Sequence, residues 1–224
     1  MREAWSFEMP LEEAITTQRA VRRLKRDPVP DELVLRLIEL ALKAPSGSNA
    51  QGWEWIVVRD PAVKGKLARQ NRRAFRIYGA LGRRATANDP KMARVLDAVQ
   101  WQADHFEDVP VVVVACLRGP RLGFPNIAAT SYYGSIFPSV QNLLLAARAV
   151  GLGAALITLP LWSTFAARSI LGLPWSVTPC AVIPLGWPVG RYGPTTRRPV
   201  GDVVSLDRYG NRPWQGRTAG SGAT

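Results

Sequence analysis

The residues best suited to chemistry stand in one short segment, residues 44–55, between a long apolar helical run and a β-rich stretch. Pro45 cannot continue a helix, because it has no backbone N–H and its ring clashes with the preceding turn. Four polar side chains follow it: Ser46, Ser48, Asn49 and Gln51. Hydroxyl and amide groups both donate and accept hydrogen bonds. They suit contact with a flat ligand that has polar edges, although an ordinary loop with capping serines explains them equally well.

A second segment with chemical potential is the basic stretch Gln18-Arg19-Ala20-Val21-Arg22-Arg23-Leu24. Its alternation of arginines with apolar residues predicts extended chain rather than helix. Guanidinium groups at this spacing can hold a phosphate or a carboxylate through paired hydrogen bonds. A solvated basic strand edge is the alternative interpretation.

The composition of the 224 residues fits a single globular domain with a sizeable core, since 47% are hydrophobic and 21% are charged. The formal net charge is +12, and the arginines that cause it are spread over the whole chain. They are not interleaved with aromatic residues in the way that RNA-binding domains use. A small anionic ligand, or simply a basic surface, explains the charge, and we predict no nucleic-acid partner.

Nucleophiles and metal ligands are scarce in this sequence. His105 is the only histidine, which argues against a Ser-His-Asp hydrolase and against a multi-histidine metal site. Cys116 and Cys180 each stand in an apolar stretch, without another Cys or His at ligand spacing, so we expect two buried thiols. We therefore predict no metal, and chemistry that belongs to a cofactor.

The sequence carries no targeting signal that we can identify. It has no basic start followed by an apolar signal core, and no apolar run long enough to cross a bilayer. Two cysteines far apart also favour reduced thiols over a disulfide framework. We expect a cytoplasmic protein without membrane contact.

Hydrophobic periodicity predicts the elements that must position these segments. The predicted helices cover residues 11–17, about 31–44, 62–78, 92–106, 138–150 and 162–171, and the predicted strands cover 55–58, 109–117, 154–159 and 179–185. Pro138 is expected at the first position of the most apolar helix, with Gly151 beyond its end. Segments 79–90 and 118–127 are expected to be irregular, the second as a mobile loop or lid. Helices and strands mingle without strict βαβ repetition, so the predicted class is α+β.

Several segments, taken in order, resemble the FMN-dependent nitroreductase family and extend over roughly residues 15–205. They are Arg19 to Arg23 followed by Asp27-Pro28-Val29-Pro30; Ala44-Pro45-Ser46-x-x-Asn49-x-Gln51-x-Trp53; Gln141 to Ala147 with Gly151-Leu152-Gly153; and Leu185-Gly186-Trp187-Pro188 with Arg197-Arg198-Pro199-Val200. Each segment alone is a weak signal. All four segments occur in the same order as in the family, which is hard to obtain by chance.

The resemblance implies an α+β sandwich, with a central, mostly antiparallel sheet flanked by helices. It implies a single nitroreductase-like domain over residues 1–224 and a homodimer that holds FMN at its interface. The C-terminal extension, about residues 187–224, would be exchanged and wrap the partner subunit. This arrangement would explain why the tail has too little apolar content to fold on itself.

The resemblance also carries residue roles onto this sequence. In the family, the first basic segment holds the FMN phosphate, the central loop reaches the flavin or ribityl chain, and the stretch after the Gly151 turn lies along the ring. The cofactor-binding positions implied here are Arg19, Ala20, Arg22, Pro45, Ser46, Asn49, Gln51, Thr158, Leu159, Arg197 and Arg198. Arg22 and Thr158 are the catalytic candidates: Arg22 to stabilise negative charge near N1 of the reduced flavin, Thr158 to lie near the reactive N5.

The implied activity is ping-pong hydride transfer. NADH or NADPH would reduce FMN, and an electron-poor small molecule, such as a nitroaromatic, a quinone or an enone, would take the hydride in the same pocket. A lone histidine is consistent with this chemistry, because hydride transfer through a flavin needs no titrating side chain. The alternatives are an FMN-dependent dehydrogenase or oxidase of a biosynthetic intermediate, and a flavin-binding protein without turnover.

The sequence departs from the family pattern at four positions. Gln18 and Ala20 stand where the family usually has Arg and Ser, which either weakens the phosphate contacts or shifts them toward Arg197 and Arg198. Gly52 replaces a proline, and Ser135 stands near a frequent family Asp. We expect the aromatic residues Tyr132, Tyr133 and Phe137 to shape the substrate side.

Overall fold

The computed structural model describes residues 5–86, 88–119 and 126–216. The chain forms two compact units, one ending at Tyr192 and one beginning at Gly193. Within the described residues, the helices are α1 (Leu11–Thr17), α2 (Asp31–Ala41), α3 (Pro61–Ala85), α4 (Pro90–Asp104), α5 (Asn126–Ala149) and α6 (Thr164–Leu171). The strands are β1 (Trp53–Val58), β2 (Val111–Arg118), β3 (Gly153–Ala154) and β4 (Val177–Gly186). All of these elements belong to the first unit, whereas the second contains the short 3₁₀ turn Val200–Asp202.

The four strands form one antiparallel sheet in the order β1-β2-β4-β3. The register pairs Val58 with Val112 on one side of β2 and Val113 with Ile183 on the other. It shifts where Cys116 lies opposite Pro179. Because proline cannot donate to a ladder, an irregularity of this kind is where a central strand accommodates it. The sheet and its helices confirm the predicted α+β class.

The sheet divides the core into two layers, because successive side chains of a strand point to opposite faces. Val111, Val113 and Ala115 lie in the cluster that includes residues of α2 and α5. Val112, Val114 and Cys116 lie in the cluster that includes Leu67 and Ala68 of α3. The continuous apolar run of β2 is thus buried on both faces, as the sequence predicts.

Local signals explain the helices that the sequence places correctly. Asp31 and Glu32 stand in the first turn of α2, where the helix dipole favours negative charge. Leu33 and Leu37 bury one face of this helix. In α6, the Ser163 hydroxyl caps the N-terminus by accepting from the Ala166 N–H, and Gly172 ends the helix in the left-handed conformation.

The start of the most apolar helix was predicted wrongly. The helix α5 begins at Asn126, so Pro138 lies in its interior rather than at its first position. An interior proline removes one backbone hydrogen bond at a cost of about 3 kcal/mol. Burial of the neighbouring apolar residues Ile136 and Val140 offsets this cost. Of the expected loop 118–127, residues 120–125 lie outside the described part, and Asn126 is already helical.

Two further predicted boundaries differ from the structure. Segment 79–90 is helical as far as Ala85, because glycine lets α3 approach α4 closely: a Cβ on Gly82 would lie 3.2 Å from Leu96 Cδ2. The strand predicted over 154–159 is only the pair Gly153–Ala154, followed by a single bridge between Ile157 and Val182. A 3₁₀ turn at Leu159–Leu161 then ends the extended chain. In the part of the chain described, no helix has the length and apolar character needed to cross a bilayer.

We expect Leu143→Ala to lower the free energy of unfolding by about 2–5 kcal/mol, because Leu143 of α5 is fully buried in the core beside β2. Urea denaturation of the purified protein measures this change. The matched control is Leu81→Ala on α3. The side chain of Leu81 is 61% exposed, so this substitution should lower the free energy of unfolding by less than about 0.5 kcal/mol. Equal effects of the two substitutions would contradict the assigned core.

Candidate functional site

The basic segment, residues 18–24, is extended, and backbone hydrogen bonds join it to neighbouring segments on both sides. The Val21 N–H donates to the Ala154 carbonyl (3.0 Å), and the Val189 N–H donates to the Arg23 carbonyl (3.1 Å). Leu24 forms a β-bridge with Pro188. The prediction of extended chain is confirmed, and the segment lies beside the stretch that leads from β3 to Thr158.

The arginines of this segment line a cavity of about 370 Å³. Residues from α4 and from the chain after β4 complete the wall; the described lining is Arg19, Ala20, Val21, Arg22, Arg23, Arg94, Val95, Ala98, Pro188, Gly190, Arg191 and Tyr192. Five of these side chains are guanidinium groups, and no carboxylate is among them. The cavity, which we call the arginine cavity, therefore has a strongly positive potential and suits an anion.

Arg22 is the least solvated of the three arginines in the basic segment. Its side chain is half-buried, and burial lowers the pKa of its guanidinium group, with Arg19 adding to the effect and Tyr78 opposing it. Its Nε atom is buried and has no hydrogen-bond partner among the residues that the structure describes. A desolvated cation with an unmatched donor is unfavourable, so a bound anion would stabilise this arrangement.

The central loop, residues 44–52, contains unusual backbone conformations. Ser48, Asn49 and Gln51 have φ values of 51°, 53° and 48°, in the left-handed region that glycine favours. Each such non-glycine residue costs on the order of 1–2 kcal/mol. Internal hydrogen bonds hold the loop: the Gln51 N–H donates to Ser46 Oγ (3.1 Å), and Gln51 Nε2 donates to Asn49 Oδ1 (3.0 Å).

Ser135 of α5 fixes the loop to the core. Its hydroxyl oxygen accepts from the Gly47 N–H (3.0 Å), and its O–H donates to the Ser131 carbonyl (2.9 Å). The Trp53 indole N–H donates to the Ser135 carbonyl at 2.6 Å. Sequence reasoning registered Ser135 only as a departure from the family and missed this role. The predicted helix began at Pro138, so no local signal marked Ser135 as a helical residue.

A second cavity, of about 400 Å³, lies between this loop, the end of β2 and the first half of α5. We call it the loop cavity; its lining is Ser46, Gly47, Ala50, Gly52, Leu117, Arg118, Gly119, Ala128, Ser131, Tyr132 and Ser135. The Tyr132 hydroxyl donates to the Leu117 carbonyl at 3.1 Å, and burial is the main cause that raises its pKa. Tyr132 also packs edge-on against Tyr133, which stacks on Phe137.

The two cavities lie toward opposite ends of α5. At one end, Arg148 Nε donates to Thr17 Oγ1 (2.8 Å), just before the basic segment. Toward the other end, Ser135 holds the central loop. Thirteen residues of helix correspond to roughly 20 Å. A single chain therefore does not bring the predicted residues of the basic segment and those of the loop around one small ligand.

The remaining predicted residues occupy separate positions. Thr158 is exposed, its carbonyl accepts from the Leu161 N–H (2.8 Å), and Leu159 opens the following 3₁₀ turn. Arg197 and Arg198 are exposed residues of the second unit. Arg94 and Arg191 were missed as site candidates. No local signal marks Arg94, which only the packing of α4 brings to the arginine cavity. Within the described ranges, no three His, Cys, Asp or Glu residues group as a metal site would require.

The sandwich of helices around an antiparallel sheet, with an arginine cavity beside the β3 segment, defines a nitroreductase-like fold. The chain belongs to the nitroreductase family, whose sequence profile matches residues 15–187. The family matches most of the first unit, including the basic segment, the central loop and α5.

Individual relatives support the same assignment. The chain is 28% identical to an NADH dehydrogenase of Thermus thermophilus, covering 85% of this chain and 93% of the relative. It is 27% identical to a 5,6-dimethylbenzimidazole synthase of Rhodospirillum rubrum, covering 95% and 92%. A nitroreductase-type protein of Desulfovibrio desulfuricans, crystallised in complex with FMN, superposes with a TM-score of 0.65 at 25% identity, covering 90% of this chain and 99% of that one.

We expect Ser135→Ala to lower the free energy of unfolding by about 1–3 kcal/mol, because the Gly47 N–H then loses its acceptor. Amide hydrogen exchange in the central loop should accelerate at the same time. Ser131→Ala is the control, since the carbonyl of Ser131 and not its side chain accepts the Ser135 bond. Unchanged exchange at Gly47 in Ser135→Ala would show that another contact holds the loop.

Proposed function

We propose that this protein is an FMN-dependent oxidoreductase that takes a hydride from NADH or NADPH and delivers it to an electron-poor organic acceptor by a ping-pong mechanism. The observation that carries the proposal is the arginine cavity, with the half-buried Arg22 in its wall, whose Nε has no hydrogen-bond partner among the described residues. When bound, FMN supplies two-electron redox chemistry that no side chain of this protein provides.

The residues present fit such a cofactor. A phosphate monoester carries up to two negative charges and several acceptor oxygens, which guanidinium groups recognise through paired hydrogen bonds. We assign the phosphate contacts to Arg19 and Arg22, with the Ala20 backbone beside them. The 25% identical structure with bound FMN supports the choice of flavin.

We assign the catalytic role to Arg22 because its charge lies in a partly desolvated wall, where electrostatic stabilisation is stronger than in water. The guanidinium would stabilise negative charge that develops on the cofactor. Thr158 and Leu159 follow the segment to which Val21 is hydrogen-bonded, so we assign them to the same side of the site. Neither residue needs to change its protonation state.

We further propose a homodimer, in which the central loop of one subunit meets the arginine cavity of the other. The separation of roughly 20 Å along α5 supports this proposal, because Pro45, Ser46, Asn49 and Gln51 lie too far from Arg22 in the same chain to share its ligand. Two-fold symmetry would then create two equivalent sites. The C-terminal extension, with Arg197 and Arg198, is proposed to wrap the partner and complete the phosphate contacts.

The acceptor is proposed to enter beside the aromatic cluster of Tyr132, Tyr133 and Phe137. Flat conjugated molecules stack favourably on such rings. Nitroaromatics, quinones and enones share this shape and an electron-poor centre. We therefore propose these compounds as the substrate class.

A second candidate is an FMN-dependent oxidase or dehydrogenase of a biosynthetic intermediate. The likeness to a 5,6-dimethylbenzimidazole synthase over 95% of this chain favours it. The two candidates differ in the electron donor to FMN, which is NAD(P)H for the first and the biosynthetic intermediate itself for the second. Reduction by a nicotinamide nucleotide therefore separates them.

The first experiment is an anaerobic titration of the purified, FMN-loaded protein with NADH and with NADPH. We expect the visible flavin bands to bleach with at least one nucleotide, and to return when a quinone or a nitroaromatic is added. Light scattering on the same sample should give twice the mass of one chain. Bands that persist with both nucleotides would favour the second candidate, and failure to bind FMN would overturn both.

We expect Arg22→Gln to weaken FMN binding by at least about tenfold, because a charge-assisted hydrogen bond contributes on the order of 1.5–3 kcal/mol. The flavin-free variant should be as stable as the wild type or up to about 1 kcal/mol more stable, since the substitution removes a desolvated cation. Fluorescence titration with FMN and urea denaturation measure the two effects.

Arg26→Gln is the control for this substitution. Arg26 follows the basic segment, but it is exposed, pairs with Asp108 at 2.7 Å and does not line the arginine cavity. FMN binding should change less than about twofold, as expected for a surface ion pair. Equal loss of FMN affinity in both variants would mean that overall charge, and not the position of Arg22, governs binding.

A further inference from the structure

Arg148 is a mostly buried cation that does not itself line the arginine cavity. It stands in the last turn of α5, where the helix dipole favours positive charge, and its side chain is 12% exposed. Its Nε donates to Thr17 Oγ1 at 2.8 Å, and its Nη2 donates to Glu13 Oε1 at 3.4 Å. The helix dipole accounts for a cation at this position, but not for its burial. Arg148 fastens the end of α1 to the end of α5, directly before the basic segment begins.

Tyr192 covers one face of this guanidinium group. The Arg148 Cζ atom lies 4.2 Å from the centre of the Tyr192 ring, which is a cation–π contact. The Tyr192 hydroxyl donates to the Leu152 carbonyl. Burial raises the pKa of Tyr192 to about 12, although the charge of Arg148 opposes this shift, so the hydroxyl remains a donor at neutral pH. Tyr192 also lines the arginine cavity.

The contacts of Arg148 and Tyr192 reach the basic segment at two points. At its start, Arg148 holds Thr17, which comes two residues before Arg19 of the cavity lining. At its middle, the Val21 N–H is bonded to β3, just after the carbonyl that accepts from Tyr192. A closed circuit of side-chain and backbone contacts therefore joins the Tyr192 wall of the cavity to the basic segment.

The arginine cavity needs such a brace, because the charges of its lining repel each other. Five guanidinium groups line it, and no carboxylate is among the described lining residues. Like charges repel more strongly where they are partly removed from water, as Arg22 is. Without a fixed backbone beside them, Arg19 and Arg191 would reduce this repulsion by moving apart. Holding them in place before the ligand arrives removes an ordering cost from binding.

We propose that Arg148 is a positioning residue for the phosphate-binding arginines of this cavity. By fastening the residues beside Arg19 and Arg191, it holds both guanidinium groups ready for one phosphate. This inference rests on the proposed function, in which that group is the phosphate of FMN. Arg148 therefore acts on the phosphate part of the affinity and not on the contacts to the flavin ring.

Riboflavin separates this role from a merely structural one, because it has the ring and ribityl chain of FMN but no phosphate. In fluorescence titrations, Arg148→Met should weaken FMN binding about fivefold and riboflavin binding less than about twofold, the scale typical of residues that act without touching a ligand. Arg148→Lys should show a similar loss, because an ammonium group keeps the charge but not the planar fork. Equal losses for the two flavins would overturn the proposal in favour of a general structural role. Full recovery in Arg148→Lys would overturn it in favour of a pure charge effect.

Tyr192→Leu tests the same contact without changing any charge. It should lower the ratio of FMN affinity to riboflavin affinity as Arg148→Met does. The double variant should lower this ratio no further than the larger single substitution, because residues in contact are not additive. Fully independent effects of the two substitutions would show that Arg148 does not act through Tyr192, and would overturn the proposed circuit.

Arg36→Met is the matched control, because it removes the same charge from another arginine that lies over an aromatic ring. Arg36 of α2 is 5.9 Å from the centre of the Phe7 ring, pairs with Glu39 at 2.7 Å and does not line the arginine cavity. The affinity ratio should stay within about twofold of the wild type, as expected for a surface ion pair. A fall equal to that of Arg148→Met would overturn the proposal.

A probe without a flavin keeps this inference separate from the proposed function. If the wild type binds neither FMN nor riboflavin, the proposed function fails, and calorimetry with inorganic phosphate then decides the role of Arg148. Phosphate binding that Arg148→Met weakens and Arg36→Met preserves would support the positioning role. Phosphate binding that is absent, or that Arg148→Met leaves unchanged, would overturn it.

Discussion

The antiparallel pairing of β2 with β4, buried on both faces, is the constraint on which the rest of the first unit depends. Away from water, the backbone groups of these strands must bond to each other, and the ladder supplies these partners. Their side chains leave two apolar surfaces, of which α2 and α5 cover one and α3 the other. Both regions of the site attach to this frame, the central loop through Ser135 of α5 and the basic segment through Ala154 of β3.

Both regions have a higher free energy without a ligand than an ordinary protein surface would have. The central loop holds three non-glycine residues in the left-handed region. The arginine cavity holds Arg22 partly desolvated, with an unmatched donor. Such strain persists only where the surrounding structure enforces it, and it concentrates at functional sites. A ligand that supplies anionic acceptors would offset the cost at Arg22, which supports the proposed cofactor role.

Sequence patterns predicted the elements whose signals are local. α1, α2 and α6 were placed to within a few residues, because acidic first turns, prolines and a terminal glycine mark their ends. The wrongly predicted helix boundaries are those that non-local contacts determine. Gly82 permits contact with Leu96 of α4 and so keeps α3 helical, and the buried neighbours of Pro138 keep α5 continuous. Neither contact can be inferred from the residues adjacent in sequence.

The sequence by itself determined the family, the α+β class and the types of residue available for a phosphate-bearing ligand, because motif order, periodicity and composition are local or additive properties. Only the tertiary structure decided which arginines share a cavity, since Arg94 and Arg191 join Arg19 and Arg22 through packing. It alone identified Ser135 as the support of Gly47, 88 positions away. It also separated the loop from the basic segment along α5. These are distances between remote residues, and they are fixed by how the helices cover the buried sheet.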